Sequence, residues 1–352
     1  MTTKQIVDEI VSRSQEILAD GDVRQRSRVF NSYALSNFRG GIGKSTLSFN
    51  LAYEVSQQYR TLLLDTCSQR NFSQNLLGED IFSAEKTIYD VLIQQIAGTA
   101  KVDQEDLLVP VKGSCSSFKT GKNSYVIPGS TELYLFPSLL YSTLAQYSQL
   151  QAGLGREASR RVVNSIKTAI EEASILAKPE KIIIDTSPFF GGATHLSWAA
   201  ADALIVPVRV DQHSIEALRL TLRMLTDKEL DFHRFNKQAG TNHQPLVHAI
   251  VMTHCGWNRQ KANTPDSSTR FFVEQAVEIA KEFPSVFTED NVGDCFYLLD
   301  DFHSSGRISG NQRIPISRLV SGRKYPVDNQ RLEVNPSVDR YKKELWNLAT
   351  DL

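Results

Sequence analysis

The stretch Phe38-Arg39-Gly40-Gly41-Ile42-Gly43-Lys44-Ser45-Thr46 constrains this chain more than any other. It fits the phosphate-loop pattern G-x-x-x-x-G-K-[ST] except at the first position, where Phe38 stands in place of glycine. Glycines at 40, 41 and 43 let backbone N–H groups curl round a polyphosphate. Lys44 is placed to neutralise β and γ oxygens, and the Ser45 hydroxyl to ligate Mg2+. Such a loop joins a strand to a helix, so it commits its flanks as well. Residues 29–37 (VFNSYALSN) read as that strand, and Ser45 to Tyr59 as the helix, with its N-terminus aimed at the anion.

The rest of the chain repeats the alternation. Thr61–Leu64 is a buried strand ending at Asp65. Residues 181–184 (KIII) end at Asp185-Thr186-Ser187-Pro188, a Walker B arrangement whose carboxylate holds Mg2+ or orients the attacking water. Further strands are expected at 132–136 (ELYLF), 203–208 and 247–252, and helical spacing runs over 4–19, 87–96 and 156–177. A basic stretch (Arg24, Arg26, Arg28) follows the first helix. Strands alternating with helices predict an α/β fold, a mostly parallel, doubly wound sheet with helices on both faces. Ligands then bind at the strand C-terminal ends, where Arg39, Asp65, Asp185 and the segment after Met252 fall. The expected organisation is an N-terminal helical extension over 1–28 and a single domain over 29–352. Insertions are expected near 99–131, an exposed polar loop, and near 256–312.

Composition removes several alternatives. The 352 residues carry a net charge of −1, so there is no global basic field, although a local basic patch remains open. The four cysteines (Cys67, Cys115, Cys255, Cys295) are far apart with no C-x-x-C, which argues against a zinc site or a disulfide framework and for a reducing, cytoplasmic setting. No apolar run approaches the roughly 20 residues that span a bilayer.

Taken together, R-G-G-I-G-K-S-T (39–46), D-T-C-S-Q-R-N (65–71) and D-T-S-P (185–188) resemble the ParA/MinD group of partition ATPases, a deviant Walker A type of P-loop NTPase. That group shows K-G-G-x-G-K-[ST], D-x-D-P-Q-x-N and D-x-P-P. Residues 87–92, 133–138 and 199–208 look like further family segments, and 314–315 with 322–327 like its purine-contacting loop and the segment after it. The resemblance covers 30–252 well and 313–350 more loosely.

The resemblance implies ATP and Mg2+ as ligands and a homodimer that sandwiches two ATP molecules through its nucleotide face. It also implies nonspecific DNA binding, a ParB-like or other activator protein, and slow or partner-stimulated hydrolysis. Lys44, Arg39 and Asp65 would carry catalysis. Gly40, Gly41, Ile42, Gly43, Lys44, Ser45, Thr46, Thr253 and Pro315 would hold the nucleotide, and Ser45, Asp65 and Asp185 the metal. Arg313, Arg318, Arg323 and Lys324, with Arg340, Lys342 and Lys343 on a last helix, form either a phosphate-binding surface or a solvated face. That last helix also carries acidic residues and is expected to dock on the core rather than on a membrane.

Two departures stand out. Arg39 occupies the place of the lysine that reaches the partner's phosphates, keeping the charge but adding a planar fork. Cys67 occupies the place of a carboxylate that positions water, and a thiol is a poor base near neutral pH unless its pKa is lowered. The loss of such a group is typically worth about 10²–10⁴-fold in rate. The alternative function is therefore a hydrolysis-poor nucleotide-binding scaffold. A reductase branch that bridges an iron–sulfur cluster needs two loop cysteines, and only Cys115 fits. His195, His254 and Cys255 match no metal spacing, and Trp257 and Asn258 compete with Thr253 as base contacts.

Overall fold

A computed structural model describes residues 1–20, 26, 28–99, 101–258 and 264–352. Arg24, and residues 259–263 of the second expected insertion, lie outside them. The main sheet has strands β1 (Ser32–Leu35), β2 (Thr61–Asp65), β3 (Val109–Pro110), β4 (Ser124–Ile127), β5 (Lys181–Asp185), β6 (Ala203–Arg209), β7 (Leu246–Cys255) and β8 (Phe296–Asp300). Their spatial order is β8-β7-β6-β1-β5-β2-β4-β3. Only the β3–β4 pair is antiparallel. The chain leaves β1 for β2 on one side and later crosses to β6 on the other. This is the doubly wound, mostly parallel arrangement the alternation predicts.

The helices are α1 (Thr3–Asp20), α2 (Lys44–Ser56), α3 (Asn71–Leu77), α4 (Ile88–Ala97), α5 (Phe136–Tyr147), α6 (Ala152–Val163) and α7 (Ser165–Ala177). They continue as α8 (Ala193–Ala200), α9 (Gln212–Thr226), α10 (Asp231–Ala239), α11 (Ser267–Glu282), α12 (His303–Gln312) and α13 (Val338–Thr350). The two-residue period of the strands assigns them to two layers. Ala34, Leu62, Leu64, Ile182 and Ile184 face one core, closed by α1 and α4–α11. Tyr33, Leu35, Leu63 and Ile183 face the other, closed by α2, α3, α12 and α13. Both faces being covered is what lets these strands run as nearly unbroken apolar stretches. The first helix buries Ile6, Val7, Ile10 and Val11, and its Arg13 donates to the carbonyls of Gly293 and Phe296 at 2.8 and 2.7 Å.

Two expectations fail here for a shared reason. Residues 132–136 are not a strand: Thr131–Tyr134 is a 3-10 turn and α5 follows, with Pro137 in its first turn. The short apolar run ELYLF hides a helical spacing, since Leu133, Phe136, Leu140 and Leu144 are the buried positions. The strand sits earlier, at 124–127, and Pro128-Gly129 ends it. Residues 99–131 are accordingly not an exposed loop. They supply both β3 and β4, and bury Leu107, Val111, Cys115 and Phe118. Phe118 packs on Phe49 and Tyr53 of α2, at ring-centroid distances of 6.0 and 5.6 Å. The helix that opens at the phosphate loop therefore rests on this segment.

If so, Phe118→Ala lowers unfolding free energy by about 3–5 kcal/mol in urea titrations. An exposed loop residue would change it by less than about 0.5 kcal/mol.

Candidate nucleotide site

The loop between β1 and α2 turns back on itself through Gly41 (φ 71°) and Gly43 (φ 83°), left-handed conformations that a side chain would strain. A Cβ at either would point into open space, so a cradle lies above them. Gly43 caps α2, whose first-turn N–H groups face the same side. Lys44 is buried, and its ammonium donates to the carbonyls of Asn37 at 3.0 Å and Arg39 at 3.1 Å. Burial lowers its pKa, and Asp185 partly restores it. Phe38, the exception to the phosphate-loop pattern, stacks on Trp198 at 5.6 Å and meets Phe190 edge-on at 5.8 Å. The indole N–H of Trp198 then donates to Ser36 at 2.9 Å. The ring at 38 thus ties the loop to the core beneath the 186–192 turn.

The two strand-end carboxylates are neighbours in register, Asp65 opposite Asp185, and both are fully buried. Asp185 accepts from Ser45 Oγ at 2.8 Å and Ser48 Oγ at 2.6 Å. It is thus joined to the hydroxyl that a phosphate loop offers to Mg2+. Asp65 serves differently. Its Oδ1 accepts from the Cys67 N–H at 3.0 Å, and its Oδ2 from the Ser73 N–H and hydroxyl at 2.8 Å each. Both oxygens brace the 66–73 turn, and Asp65 lines neither cleft described below. Burial, with the Asp185 charge beside it, pushes Asp65 up to about 7 against the pull of these three donors. Burial also raises Asp185.

Two clefts open over this floor. One of about 360 Å3 is lined by Gly40, Gly41, Gly43, Lys44, Ser45 and Thr46, and across from them by Cys67, Gln69, Asn71, Gln74 and Asn75. The other, of about 290 Å3, shares Gly43 and Thr46 with it and extends along Ile42, Leu47, Thr253, His254, Asp300, Asp301, Phe302, His303 and Arg307. Gly43 and Thr46 are the hinge between a polar, phosphate-sized space and a partly apolar one of nucleoside size. The cradle and the Ser45–Asp185 pair fit a Mg2+–polyphosphate.

The expected residues divide accordingly. Gly40, Gly41, Gly43, Lys44, Ser45 and Thr46 converge on the first cleft, while Ile42, Thr46 and Thr253 line the second. Pro315 lies outside both. Its neighbour Ile316 is tied by its N–H to Asn50 at 2.7 Å, one turn along α2 from Thr46. Trp257 is likewise absent from the second cleft, held in a β-hairpin under the Arg340 guanidinium, 3.6 Å from its ring centre. His254, which matches no metal spacing, lines that cleft from the end of β7. Asp300–His303 carry no sequence signal because β8, which holds Asp300, falls in a stretch with no clear period. His195 and Cys255 are core residues.

Arg39 does not project freely. Its guanidinium pairs with Asp211 of the same chain and donates to Ser214 Oγ at 2.9 Å, at the capped start of α9. Arg313 is also engaged, donating to the carbonyls of Asn75, Leu76 and Ser114 at 3.2, 2.9 and 2.5 Å. It ties down the end of α3 and is not offered to a nucleic acid. Lys324 faces Glu333 at 3.5 Å, and Arg323 lies over the Tyr325 ring. In the last helix Arg340 bonds Glu344, Lys342 bonds Asp339, and Lys343 donates to the Leu18 carbonyl. Within this set Lys324, Arg340 and Lys342 have acidic partners, Arg313 and Lys343 are bound to carbonyls, and Arg318 and Arg323 are exposed with no ion pair among the described residues. All four cysteines are buried, with Cys115 Sγ directed at the Arg313 carbonyl at 3.5 Å, which leaves no exposed loop cysteine to bridge a cluster. Among the described residues no group of His, Cys, Asp and Glu is arranged as a metal cage, and no helix is long and apolar enough to cross a membrane.

The carboxylate pair has a consequence for stability. A raised folded pKa means that Asp65 favours folding in its protonated form. That contribution is full below pH ~4 and is lost as pH rises through about 7. The ligand-free chain should thus lose thermal stability across this window. Asp185→Asn removes the repulsion and should raise Tm at pH 7.5 by about 2–4 °C while flattening the trend. Calorimetry at pH 5 and 7.5 checks both.

Comparison with known proteins agrees with this geometry. A family model described as an AAA domain matches residues 31–233. The sporulation initiation inhibitor Soj of Bacillus subtilis is 27% identical over 186 residues, 53% of this chain and 60% of Soj. The chromosome partitioning protein ParA of Caulobacter vibrioides is 26% identical over 193 residues, 54% of this chain and 61% of ParA. The cell division protein PomZ of Myxococcus xanthus is 29% identical over 200 residues, 56% of this chain and 52% of PomZ. The matches thus span little more than half the length of these relatives. Among solved structures, an ATP complex of Cyanothece McdA superposes with a TM-score of 0.61 at 15% identity, covering 92% of this chain and 95% of McdA. A plasmid partition protein from Borrelia burgdorferi bound to AMPPNP gives 0.52 at 16% identity, covering 92% and 100%. These two share the fold. With a family model over more than half its length, on this fold, the chain belongs to the ParA/MinD-like family of AAA-domain partition ATPases.

Proposed function

We propose that the chain is a MgATP-dependent switch. It binds ATP across the two clefts, pairs with a second copy through that face, and positions DNA or a protein cargo of partition type. It hydrolyses ATP slowly unless a ParB-like or other partner stimulates it. The observation that carries this reading is the pair of clefts joined at Gly43 and Thr46. One suits a polyphosphate and the other a nucleoside, and the two share Gly43 and Thr46 as lining. The ATP named for McdA, the AMPPNP named for the Borrelia protein and the magnesium named with an ATP analogue in a mycobacterial cobyrinic acid a,c-diamide synthase support the choice of ligand.

In this reading Lys44 exchanges the two carbonyls for phosphate oxygens, a trade its lowered pKa makes favourable because an anion restores its charge. Ser45 and Asp185 hold Mg2+, which screens the phosphate charge when bound. Thr253 and His254 face the nucleoside. Arg39 supplies the charge that reaches a partner's phosphates once it leaves Asp211, so dimerisation competes with an internal ion pair. The cellular setting is cytoplasmic.

A second reading, a hydrolysis-poor nucleotide-binding scaffold, is favoured by one observation: no carboxylate lines the phosphate cleft. Burial also raises the Cys67 thiol above its usual range, away from thiolate. Single-turnover hydrolysis by the native chain and by Cys67→Asp separates the two. Turnover in the native chain supports the switch, whereas turnover only in the variant supports the scaffold.

The dimer has its own test, light scattering after size exclusion with ATP, ADP and no nucleotide, with and without duplex DNA at low salt. A dimer is expected with ATP only. Arg39→Ala should abolish it while leaving nucleotide affinity within about threefold, and Asp211→Asn should promote it. An ATP dimer unaffected by Arg39→Ala would remove the cross-subunit role.

A further inference from the structure

We infer that Gln74 orients the attacking water in ATP hydrolysis, an amide acting where a carboxylate is absent. This rests on the MgATP reading above. The phosphate cleft is walled on one side by the phosphate loop and on the other by the 67–75 segment. No aspartate or glutamate lines it. Asp65 has both oxygens committed to the 66–73 turn, and Asp185 has one on Ser45 and one on Ser48.

The opposite wall is made of amides. Asn71, Gln74 and Asn75 lie at i, i+3 and i+4 of α3 and all reach the cleft. Phe72, Ser73, Leu76 and Leu77 are buried on the other side. Ser73 is bonded to Asp65, and its hydroxyl also receives the Gly129 N–H at 3.0 Å, so the rotation of α3 is fixed. Within the wall the amides are not equivalent. Asn71 donates to Gln69 at 3.3 Å, so that pair is engaged. Asn75 is half-buried and one methylene shorter, and its backbone carbonyl, not its side chain, holds Arg313. Gln74 is exposed to the cleft, and its side-chain amide has no hydrogen-bond partner among the described residues.

A primary amide suits the task because it carries an acceptor and a donor side by side. Its carbonyl accepts one proton of the water, and its NH2 donates to a γ-phosphoryl oxygen, which aligns the water with the phosphorus. Orientation by glutamine is an established way to promote phosphoryl transfer. The water oxygen bonds to the γ-phosphorus, and the bond from that phosphorus to the β–γ bridging oxygen breaks. Its electron pair leaves on ADP, and the water's proton passes to the phosphate product. No side chain changes protonation, so the rate does not follow a thiol titration.

Single-turnover hydrolysis of γ-labelled ATP with protein in excess tests this, with affinity for a fluorescent ATP analogue measured alongside. Gln74→Ala should slow the rate constant about 10–100-fold with affinity changed less than about twofold. The native rate should be flat between about pH 6.5 and 8.5. A native rate in Gln74→Ala overturns the assignment. So does a rate that climbs about tenfold per pH unit and loses that slope in Cys67→Ala, or absence of turnover while ATP is demonstrably bound. Failure to bind the analogue overturns the nucleotide reading itself, and the role of Gln74 with it.

Discussion

Two carboxylates buried side by side at the ends of neighbouring parallel strands organise everything above them. Asp65 and Asp185 are in register on β2 and β5, out of reach of bulk water, held by the hydrogen bonds of the groups they order and, for Asp185, by the Lys44 charge. Through Ser45 and Ser48, Asp185 fixes the first turn of α2 and with it the glycine loop. Through Cys67 and Ser73, Asp65 fixes the turn that forms the opposite wall. In the ligand-free chain the pair is held at the expense of its own ionisation. In the proposed reading, Mg2+ held by Ser45 and Asp185 would relieve part of that repulsion, so ligand affinity would be gained where the ligand-free fold loses stability.

Much of this was legible in the sequence because strong local constraints agree with the global fold. The phosphate loop requires a strand before it and a helix after it, and both are present. Asp185 follows an apolar run too short for anything but a buried strand. Where the reading failed, the local signal was ambiguous. ELYLF is a short apolar run, but its buried members Leu133 and Phe136 recur at helical spacing once Leu140 and Leu144 are included. The polar residues of 99–131 hide Phe118, whose burial depends on Phe49 and Tyr53 of α2, far earlier in sequence. Pro315 follows the family pattern but lines neither cleft. The residues beside the nucleoside cleft, from Asp300 to Arg307, lie on a strand end and helix start that no short motif marks.

The departures from the family pattern act on different steps. Arg39 bears on assembly, since its planar fork is matched by Asp211 and Ser214 within the chain, and any partner must compete with that match. Cys67 bears on chemistry, since a buried thiol replaces a charge in the wall of the phosphate cleft. Neither touches the cradle itself, whose glycines, lysine and serine are intact. In the proposed reading nucleotide binding and nucleotide turnover are therefore separable, and the first does not guarantee the second.

The central claim is that one nucleotide spans both clefts. Hydrogen–deuterium exchange with and without MgATP tests it most directly. The account predicts that MgATP slows exchange together over three separated stretches, 39–47, 66–75 and 299–307. Protection confined to 39–47 would mean that the loop captures phosphate alone and that the second cleft is not its nucleoside site.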